Sequence, residues 1–242
     1  MSYFITSQKL TLKKPFALTD DDVAHILFSR RAKIGETINI QDAKSIRYAC
    51  TITEAQKKSV TVIPNQILKT PPESSLHLNL FQAYISEQSL DLVIQKSTEL
   101  GVFSLIIFNA KHSPQTLKSS VIDKKLERWN KIAIEAAKQS DRVNPVSIKF
   151  TNSLENALKN FQGQLLVAHN SPKSQPIGKV KILNSQEISI LIGPEGGLTV
   201  EEIEVCKIHK AEMVGLGPRI LRAETASITA ISVLQARFGD LG

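Results

Sequence analysis

Cysteine is scarce in this sequence: only Cys50 and Cys206 occur, without a CxxC motif or a nearby Cys/His pair. This excludes a disulfide framework and a zinc site of the usual spacing, so we expect no metal. The longest nearly unbroken apolar run, Val102–Phe108, falls far short of the roughly 18 residues of a membrane span. Met1–Phe4 has neither the basic start nor the apolar core of a secretory signal. We therefore predict a cytoplasmic protein without a membrane segment.

Acidic residues are in the minority, since 30 Lys/Arg face 23 Asp/Glu and the formal net charge is +7. Apolar residues at 42% and charged residues at 22% are close to globular averages, which excludes a disordered or fibrous chain. Residues 1–72 contain 11 Lys/Arg and six Asp/Glu, and the difference of 11 − 6 = +5 is most of the excess. A local excess of this kind predicts a nucleic-acid-binding region.

Short segments rich in Thr, Val and Ile occur in residues 1–70 and are typical of strands. They are Thr37–Ile40, Tyr48–Thr53 and Ser59–Ile63. Thr19 is a candidate cap for one helix that continues through Asp20–Leu27. We predict a small β-barrel domain over residues 1–70, with a proline-containing junction at residues 64–73.

Beyond residue 73, strand-like runs alternate with helical patterns, which predicts βα units around a mainly parallel sheet. The predicted strands are Leu76–Leu80, Val102–Phe108, Val146–Phe150, Gln164–Ala168, Glu187–Ile192 and Glu212–Leu216. One helical stripe begins at Leu90 and stops at Gly101, and another helix begins at Ser120. We therefore predict an α/β domain over residues 74–242.

Two glycine-containing loops follow the last two predicted strands. The first is Gly193–Gly197, which leads into the capping box Thr199–Glu202, and the second is Gly217–Arg222, which leads into a helix over about 224–238. Ligands of open α/β sheets bind at the carboxyl ends of strands, and glycine lets the backbone approach them closely. We expect the two loops to share one pocket. Neither carries a dinucleotide fingerprint, a phosphate-binding loop or a hydrolase elbow, so the pocket serves another ligand.

The residues around both loops form two distinctive segments. They read Ile192-Gly-Pro-Glu-Gly-Gly-Leu-Thr199 and Leu216-Gly-Pro-Arg-Ile-Leu-Arg-Ala-Glu-Thr-Ala226. Both closely resemble the signatures of the RsmE family, uridine-N3 methyltransferases of 16S ribosomal RNA in the SPOUT superfamily. The resemblance extends to Gln95–Val102, Arg128-Trp129, Gln139–Arg142 and Arg237–Gly242, and more loosely to His25, Arg31 and Gly35. The chain departs from the family pattern at two places. Ser86 stands where a basic residue is usual, and an arginine is usual near Lys111.

The resemblance implies the architecture and the partners of the protein. It implies a PUA-like β-barrel for RNA binding at residues 1–70 and a SPOUT-type trefoil-knot methyltransferase domain at residues 74–242. It also implies S-adenosylmethionine as cofactor, 16S ribosomal RNA in the small ribosomal subunit as substrate, and a homodimer. The cofactor is expected at His169, Ile192, Gly193, Glu195, Gly196, Gly197, Leu216, Gly217, Ile220 and Leu221.

Methylation at uracil N3 requires loss of the imide proton and stabilisation of the resulting negative charge. Arg222 is the candidate for charge stabilisation, although an ion pair with Glu224 is an alternative role. Glu195 or Glu224 is the candidate proton acceptor, and each could instead cap a helix or pair with arginine. For contact with RNA phosphates we predict six basic residues. They are Arg30, Arg31, Lys33 and Arg47 in the barrel, and Arg128 and Arg142 in the catalytic domain.

The residues leave two other functions open. One is a SPOUT methyltransferase that acts on another RNA such as tRNA, which the two loop sequences and the amino-terminal barrel disfavour. The other is a non-catalytic RNA-binding factor for ribosome assembly, which would not take up S-adenosylmethionine.

Overall fold

The computed structural model describes residues 3–18, 32–56, 59–159, 161–171, 173–182 and 187–242. The chain divides into two compact units, one of residues 1–72 with 138–144 and the other of residues 73–137 with 145–242. The division predicted from the sequence omits the segment 138–144 from the first unit. The helix predicted at Thr19, and with it His25, Arg30 and Arg31, lies outside the described residues.

Within the described residues, the first unit contains a five-stranded sheet. Its strands are β1 (Phe4–Ile5), β2 (Phe16–Leu18), β3 (Thr37–Gln41), β4 (Arg47–Gln56) and β5 (Ser59–Ile67), in the order β1-β3-β4-β5-β2. β1 pairs with β3 in parallel, and the other pairs are antiparallel. Alternate residues of the central strands, such as Ile38, Ile40 and Ile52, are buried in one core, because successive side chains of a strand point to opposite faces.

β5 continues through Pro64, whereas the sequence predicted that a junction begins there. Pro64 pairs with Cys50 beside a shift of register between Ala49 and Cys50, and an irregular position of this kind tolerates a residue without an N–H. The Pro64 carbonyl also accepts a hydrogen bond from the Lys13 N–H at 2.8 Å. The predicted start of the junction is therefore wrong, and the strand ends at Ile67.

Among its described residues, the second unit has a seven-stranded parallel sheet with helices on both faces. The strands are β6 (His77–Ala83), β7 (Ser104–Phe108), β8 (Ser147–Thr151), β9 (Gln164–Ala168), β10 (Gln175–Pro176), β11 (Glu187–Ile192) and β12 (Glu212–Gly215). The helices are α1 (Glu87–Glu99), α2 (Ser119–Gln139), α3 (Leu154–Leu158), α4 (Val200–Ile208) and α5 (Ala223–Phe238). The strand order is β10-β12-β9-β11-β6-β7-β8. The predicted α/β class with a parallel sheet is confirmed.

Each face of this sheet packs on its own set of helices. On one face, strand residues such as Leu80 and Ile190 share a core with Trp129 of α2 and Leu234 of α5. On the other face, residues such as Leu191 pack with α3 and α4. Burial on both faces explains why β9 and β11 read as continuous apolar runs. No helix among the described residues is long and apolar enough to cross a membrane.

Candidate functional site

The loops that follow β9, β11 and β12 surround a cavity of about 350 Å³. These three strands are neighbours in the sheet and run parallel, so the loops at their carboxyl ends meet at one edge. The lining residues are Ala168, His169, Asn170, Ile192, Gly193, Pro194, Glu195, Gly196, Gly197, Leu198, Leu216, Gly217, Arg219, Ile220, Leu221, Ala223 and Ala226. A mostly apolar wall with a few polar groups is typical of a small-molecule site.

All ten residues expected at the cofactor lie in this lining. The structure thus brings together the two loops that the sequence predicted to share a pocket, and the expected His169, which follows β9, lies beside them. Seven further lining residues were not predicted from the sequence: Ala168, Asn170, Pro194, Leu198, Arg219, Ala223 and Ala226. Ala168 is the last residue of β9, Ala223 and Ala226 are at the start of α5, and the others lie in the loops next to predicted positions.

The conformation of the first loop depends on two of its glycines. Gly197 has φ of +73°, a value that glycine adopts without steric cost, and its N–H donates to the Pro194 carbonyl at 2.9 Å. A Cβ on Gly196 would lie 2.9 Å from the Cβ of His112. The turn therefore needs glycine at 197 for its backbone angle and glycine at 196 for its contact with a neighbouring loop.

Glu202 fixes the end of the first loop at the start of α4. Its carboxylate accepts hydrogen bonds from the Thr199 N–H and the Lys111 N–H, both at 2.9 Å, and the Thr199 hydroxyl accepts one from the Glu202 N–H at 3.3 Å. This confirms the predicted capping box. The Glu202 side chain is buried, and its negative charge lies in the first turn of a helix, where the helix dipole favours it.

The second loop leads to an arginine at the start of α5. Gly217 has φ of +110°, and no neighbouring atom of the described residues lies within 4 Å of the place where a Cβ would stand. Arg222 is the N-cap residue of α5, and its exposed side chain makes no capping hydrogen bond. Among the described residues we find no ion pair between Arg222 and Glu224. Leu221 and Ala223 line the cavity, whereas Arg222 between them is not part of the lining, so its backbone lies at the rim of the cavity.

A buried hydrogen bond holds the start of α5 against the sheet. The Ser227 hydroxyl donates to the side-chain oxygen of Gln82, a fully buried residue of β6, and lies 2.9 Å from the Ala223 carbonyl oxygen. The Gln82 amide nitrogen donates to the Ala83 carbonyl at 3.0 Å. This network fixes the helix whose first turn borders the cavity.

The two candidate proton acceptors differ in their position. Glu195 lies in the cavity wall, between the strand end and the two glycines of the first loop. Glu224 lies in the first turn of α5, half-buried and outside the lining. Glu195 therefore lies at the cavity, whereas Glu224 lies outside its lining.

Arg47 does not belong to an exposed basic surface, which contradicts its prediction as an RNA contact. Its side chain is only 5% exposed. The guanidinium pairs with Asp141 and donates to the carbonyls of Asp141 and Arg142 at 2.9 and 3.0 Å. It also donates to the Gln41 side-chain oxygen at 3.0 Å. Its charge therefore holds residues of the segment 138–144 to the β3–β4 hairpin within the first unit.

The other predicted RNA contacts that the structure describes are at least partly exposed. Lys33 is exposed. Arg128 forms a two-pronged ion pair with Asp91, one contact of which is 2.8 Å, and these hydrogen bonds raise the pKa of Arg128 above its usual range. Arg142 is half-buried and belongs to the first unit, so its predicted place in the catalytic domain is wrong. Contact of these three residues with RNA stays a prediction.

Comparison with known proteins agrees with this geometry. The RNA methyltransferase domain family matches residues 72–235, and the RNA methyltransferase PUA domain family matches residues 18–65. Ribosomal RNA small subunit methyltransferase E of Bacillus subtilis is 30% identical over 96% of this chain and 94% of its own length.

Two solved structures resemble the whole chain. Ribosomal RNA small subunit methyltransferase E of Neisseria gonorrhoeae, bound to S-adenosyl methionine, has 28% identity and a TM-score of 0.90, and the match covers 100% of both chains. A methyltransferase of Legionella pneumophila, in complex with the cofactor SAM, has 28% identity and a TM-score of 0.90 over 99% of this chain and 98% of that one. Both therefore share the two-unit architecture described above.

Proposed function

Because the chain belongs to the ribosomal RNA small subunit methyltransferase E family, we propose that it methylates N3 of one uridine in 16S ribosomal RNA. The chain is an S-adenosylmethionine-dependent ribosomal RNA methyltransferase. Four statements are part of the proposal: methylation at N3, the assembled small subunit as substrate, a homodimer and a cytoplasmic location. One observation carries the proposal: the two signature loops and His169 line a single cavity.

The residues of this cavity fit S-adenosylmethionine. Its volume of about 350 Å³ is within the range of small-molecule sites. Ile192, Leu198 and Leu221 give apolar surface for an aromatic base, and the loop backbone gives donors and acceptors for polar groups. The unfilled space beside the α-carbon of Gly217 leaves that backbone open to a ligand. When bound, this cofactor supplies an electrophilic methyl group.

Side chains of the protein supply the remaining chemistry. Removal of the N3 proton leaves negative charge on the uracil ring, and a permanently cationic guanidinium can bind the ring oxygens as this charge develops. Arg222 is suited to this role because it lies at the rim and has no capping hydrogen bond. Glu195 is the proposed proton acceptor, because it lines the cavity whereas Glu224 lies outside the lining.

RNA binding is proposed for both units. A PUA-type domain with an excess of basic residues supports phosphate contacts, which give affinity but little sequence information. Base identity would then be read at the cavity, after the nucleotide has left its stack. Lys33, Arg128 and Arg142 stay in this proposed surface, Arg30 and Arg31 stay predictions from the sequence, and Arg47 is removed from it.

Mapping of the methylated nucleoside tests the proposed function. Small ribosomal subunits that lack the modification are incubated with the protein and S-adenosylmethionine carrying a labelled methyl group, and the nucleosides are separated by mass spectrometry. We expect the label in 3-methyluridine from 16S ribosomal RNA. Label in a ribose 2′-oxygen, in another base or in tRNA would contradict the proposal. An absence of both methylation and cofactor uptake would favour a non-catalytic RNA-binding factor.

A further inference from the structure

We propose that His112 is a positioning residue that holds the first cofactor loop in its binding conformation and thereby sets the affinity for S-adenosylmethionine. The inference rests on the proposed function of the cavity. His112 lies in the loop between β7 and α2, far in sequence from both signature segments. Its Nδ1 is 3.1 Å from the Gly196 carbonyl oxygen and 3.2 Å from the Gly197 carbonyl oxygen. Both glycines line the cavity, whereas His112 does not.

The chemistry of this contact fixes the proton on the imidazole ring. Carbonyl oxygens only accept hydrogen bonds, so Nδ1 must carry a hydrogen and share it between the two carbonyls. These carbonyls follow the turn that the Gly197 N–H closes on Pro194. The imidazole therefore gives the turn a second hydrogen-bonding contact, at carbonyls that the Gly197–Pro194 hydrogen bond does not use.

Packing adds to the hydrogen bonds. A Cβ on Gly196 would meet the His112 Cβ at 2.9 Å and its Cγ at 3.4 Å. The histidine thus lies directly against the loop backbone. Since a contact this close leaves no room for a side chain at 196, the two positions are matched to each other.

His112 is held in place by the rest of its own loop. The Asn109 side chain donates to the Leu117 carbonyl and accepts from the Leu117 N–H, both at 3.0 Å, which closes the loop at its base. The Ser113 N–H donates to the Ala110 carbonyl at 3.1 Å. The preceding residue, Lys111, donates its N–H to the buried Glu202. The backbone on both sides of His112 is therefore held in place, and the exposed imidazole is held by its contact with the first cofactor loop.

Loss of this support has a specific kinetic consequence. Without the imidazole, the two glycine carbonyls lose their donor and the loop has more conformations to lose when the cofactor binds. Binding of S-adenosylmethionine should weaken, whereas the saturated enzyme should react at its normal rate, because His112 lies outside the cavity lining. The expected loss is about tenfold, the usual effect of one hydrogen bond.

Calorimetry of the full chain with S-adenosylmethionine tests the inference. We compare the wild type with His112→Ala, with His112→Asn, whose side-chain amide can donate to the same carbonyls, and with His209→Ala, a histidine at the end of α4 outside the cavity lining. We expect His112→Ala to raise Kd and KM for the cofactor about tenfold with kcat within about twofold. His112→Asn should recover most of the affinity, and His209→Ala should equal the wild type.

Several results would overturn the inference. If His112→Ala binds S-adenosylmethionine as tightly as the wild type, the hydrogen bonds do not contribute to affinity. The same conclusion follows if His112→Asn binds the cofactor as weakly as His112→Ala. A fall in kcat at unchanged KM would place His112 in the chemistry instead. Nitrogen NMR of the imidazole gives a readout without ligand: hydrogen on Nε2 alone would contradict the geometry. A wild type that takes up no cofactor would refute the proposed function itself, and the inference with it.

Discussion

The guanidinium of Arg47 lies over the ring of Tyr3, with Cζ 3.7 Å from the ring centroid. Together with its hydrogen bonds to the segment 138–144, this contact makes Arg47 a structural residue of the first unit. We predict that Arg47→Met lowers the free energy of unfolding by about 2 kcal/mol, because partly buried carbonyls and an acidic partner lose their donor. Urea unfolding followed by circular dichroism measures it.

Lys33→Met is the control for this prediction, since Lys33 is exposed and its replacement should change stability by less than about 0.5 kcal/mol. The pair also separates stability from RNA binding. Unchanged stability of Arg47→Met with weaker, less salt-dependent RNA binding would return Arg47 to the RNA surface.

Arg222→Ala should fold and bind S-adenosylmethionine within about twofold of the wild type, yet lose about 100-fold or more in kcat, the usual effect of removing a group that stabilises developing charge. Arg222→Lys should keep part of the activity, since it keeps the charge but not the planar fork. Single-turnover methylation of small subunits measures the rates. Lys207→Ala on the exposed side of α4 is the matched control, and equal rates in Arg222→Ala and Lys207→Ala would remove Arg222 from the mechanism.

Glu195→Gln should reduce the methylation rate about 100-fold, as expected when a general base is lost, whereas Glu224→Gln should stay within about threefold of the wild type. The reason is that Glu195 lines the cavity and Glu224 does not. Both changes keep the size of the side chain, so rates at saturating cofactor compare the two carboxylates directly. A larger loss of methylation rate in Glu224→Gln than in Glu195→Gln would identify Glu224 as the proton acceptor.

Gly217→Ala should weaken cofactor binding about tenfold or more and destabilise the protein by about 1–2 kcal/mol, because φ of +110° is a strained angle for alanine. Relief of that strain shifts a loop that lines the cavity. Gly178→Ala is the control, since in the part of the chain that the structure describes no neighbouring atom lies within 4 Å of its Cβ position, and its φ is not in the left-handed range. Equal affinities of the two variants would show that the second loop does not contact the cofactor.

Burial raises the pKa of both Cys50 and Cys206 to about 12. Native protein should therefore resist thiol reagents at neutral pH and react at both cysteines once unfolded. An unfolded thiol ionises near pH 8.5, so between there and pH 12 the unfolded state loses a proton that the native state keeps. Stability should then fall by about 1.4 kcal/mol per pH unit for each cysteine. Rapid labelling of the native chain would contradict this burial.

Local patterns predicted most of the fold and of the cavity. The strands Gln164–Ala168 and Glu187–Ile192 coincide with the observed ones, because a short, mostly apolar run with β-branched residues favours a buried strand over a helix. Glycine and capping residues mark loop conformation directly, so the two loops could be predicted as one site. The very short strands β1, β2 and β10 carry too little pattern to be recognised.

Contacts between distant segments could not be predicted in this way. A count of charges cannot distinguish the buried Arg47 from an exposed arginine, because its partners Tyr3 and Asp141 lie far along the chain. The same holds for His112, whose role depends on a loop more than 80 residues away. Such relationships depend on the tertiary fold and leave no periodic signal in the sequence.

A crystal structure of the full chain with S-adenosylmethionine tests the central claim most directly. We predict that the cofactor lies between the two loops, against the backbone of Gly196 and of Gly217, with the Arg222 side chain beside the transferable methyl group. A cofactor bound at another place on the chain, with the cavity closed by its own side chains, would contradict the account.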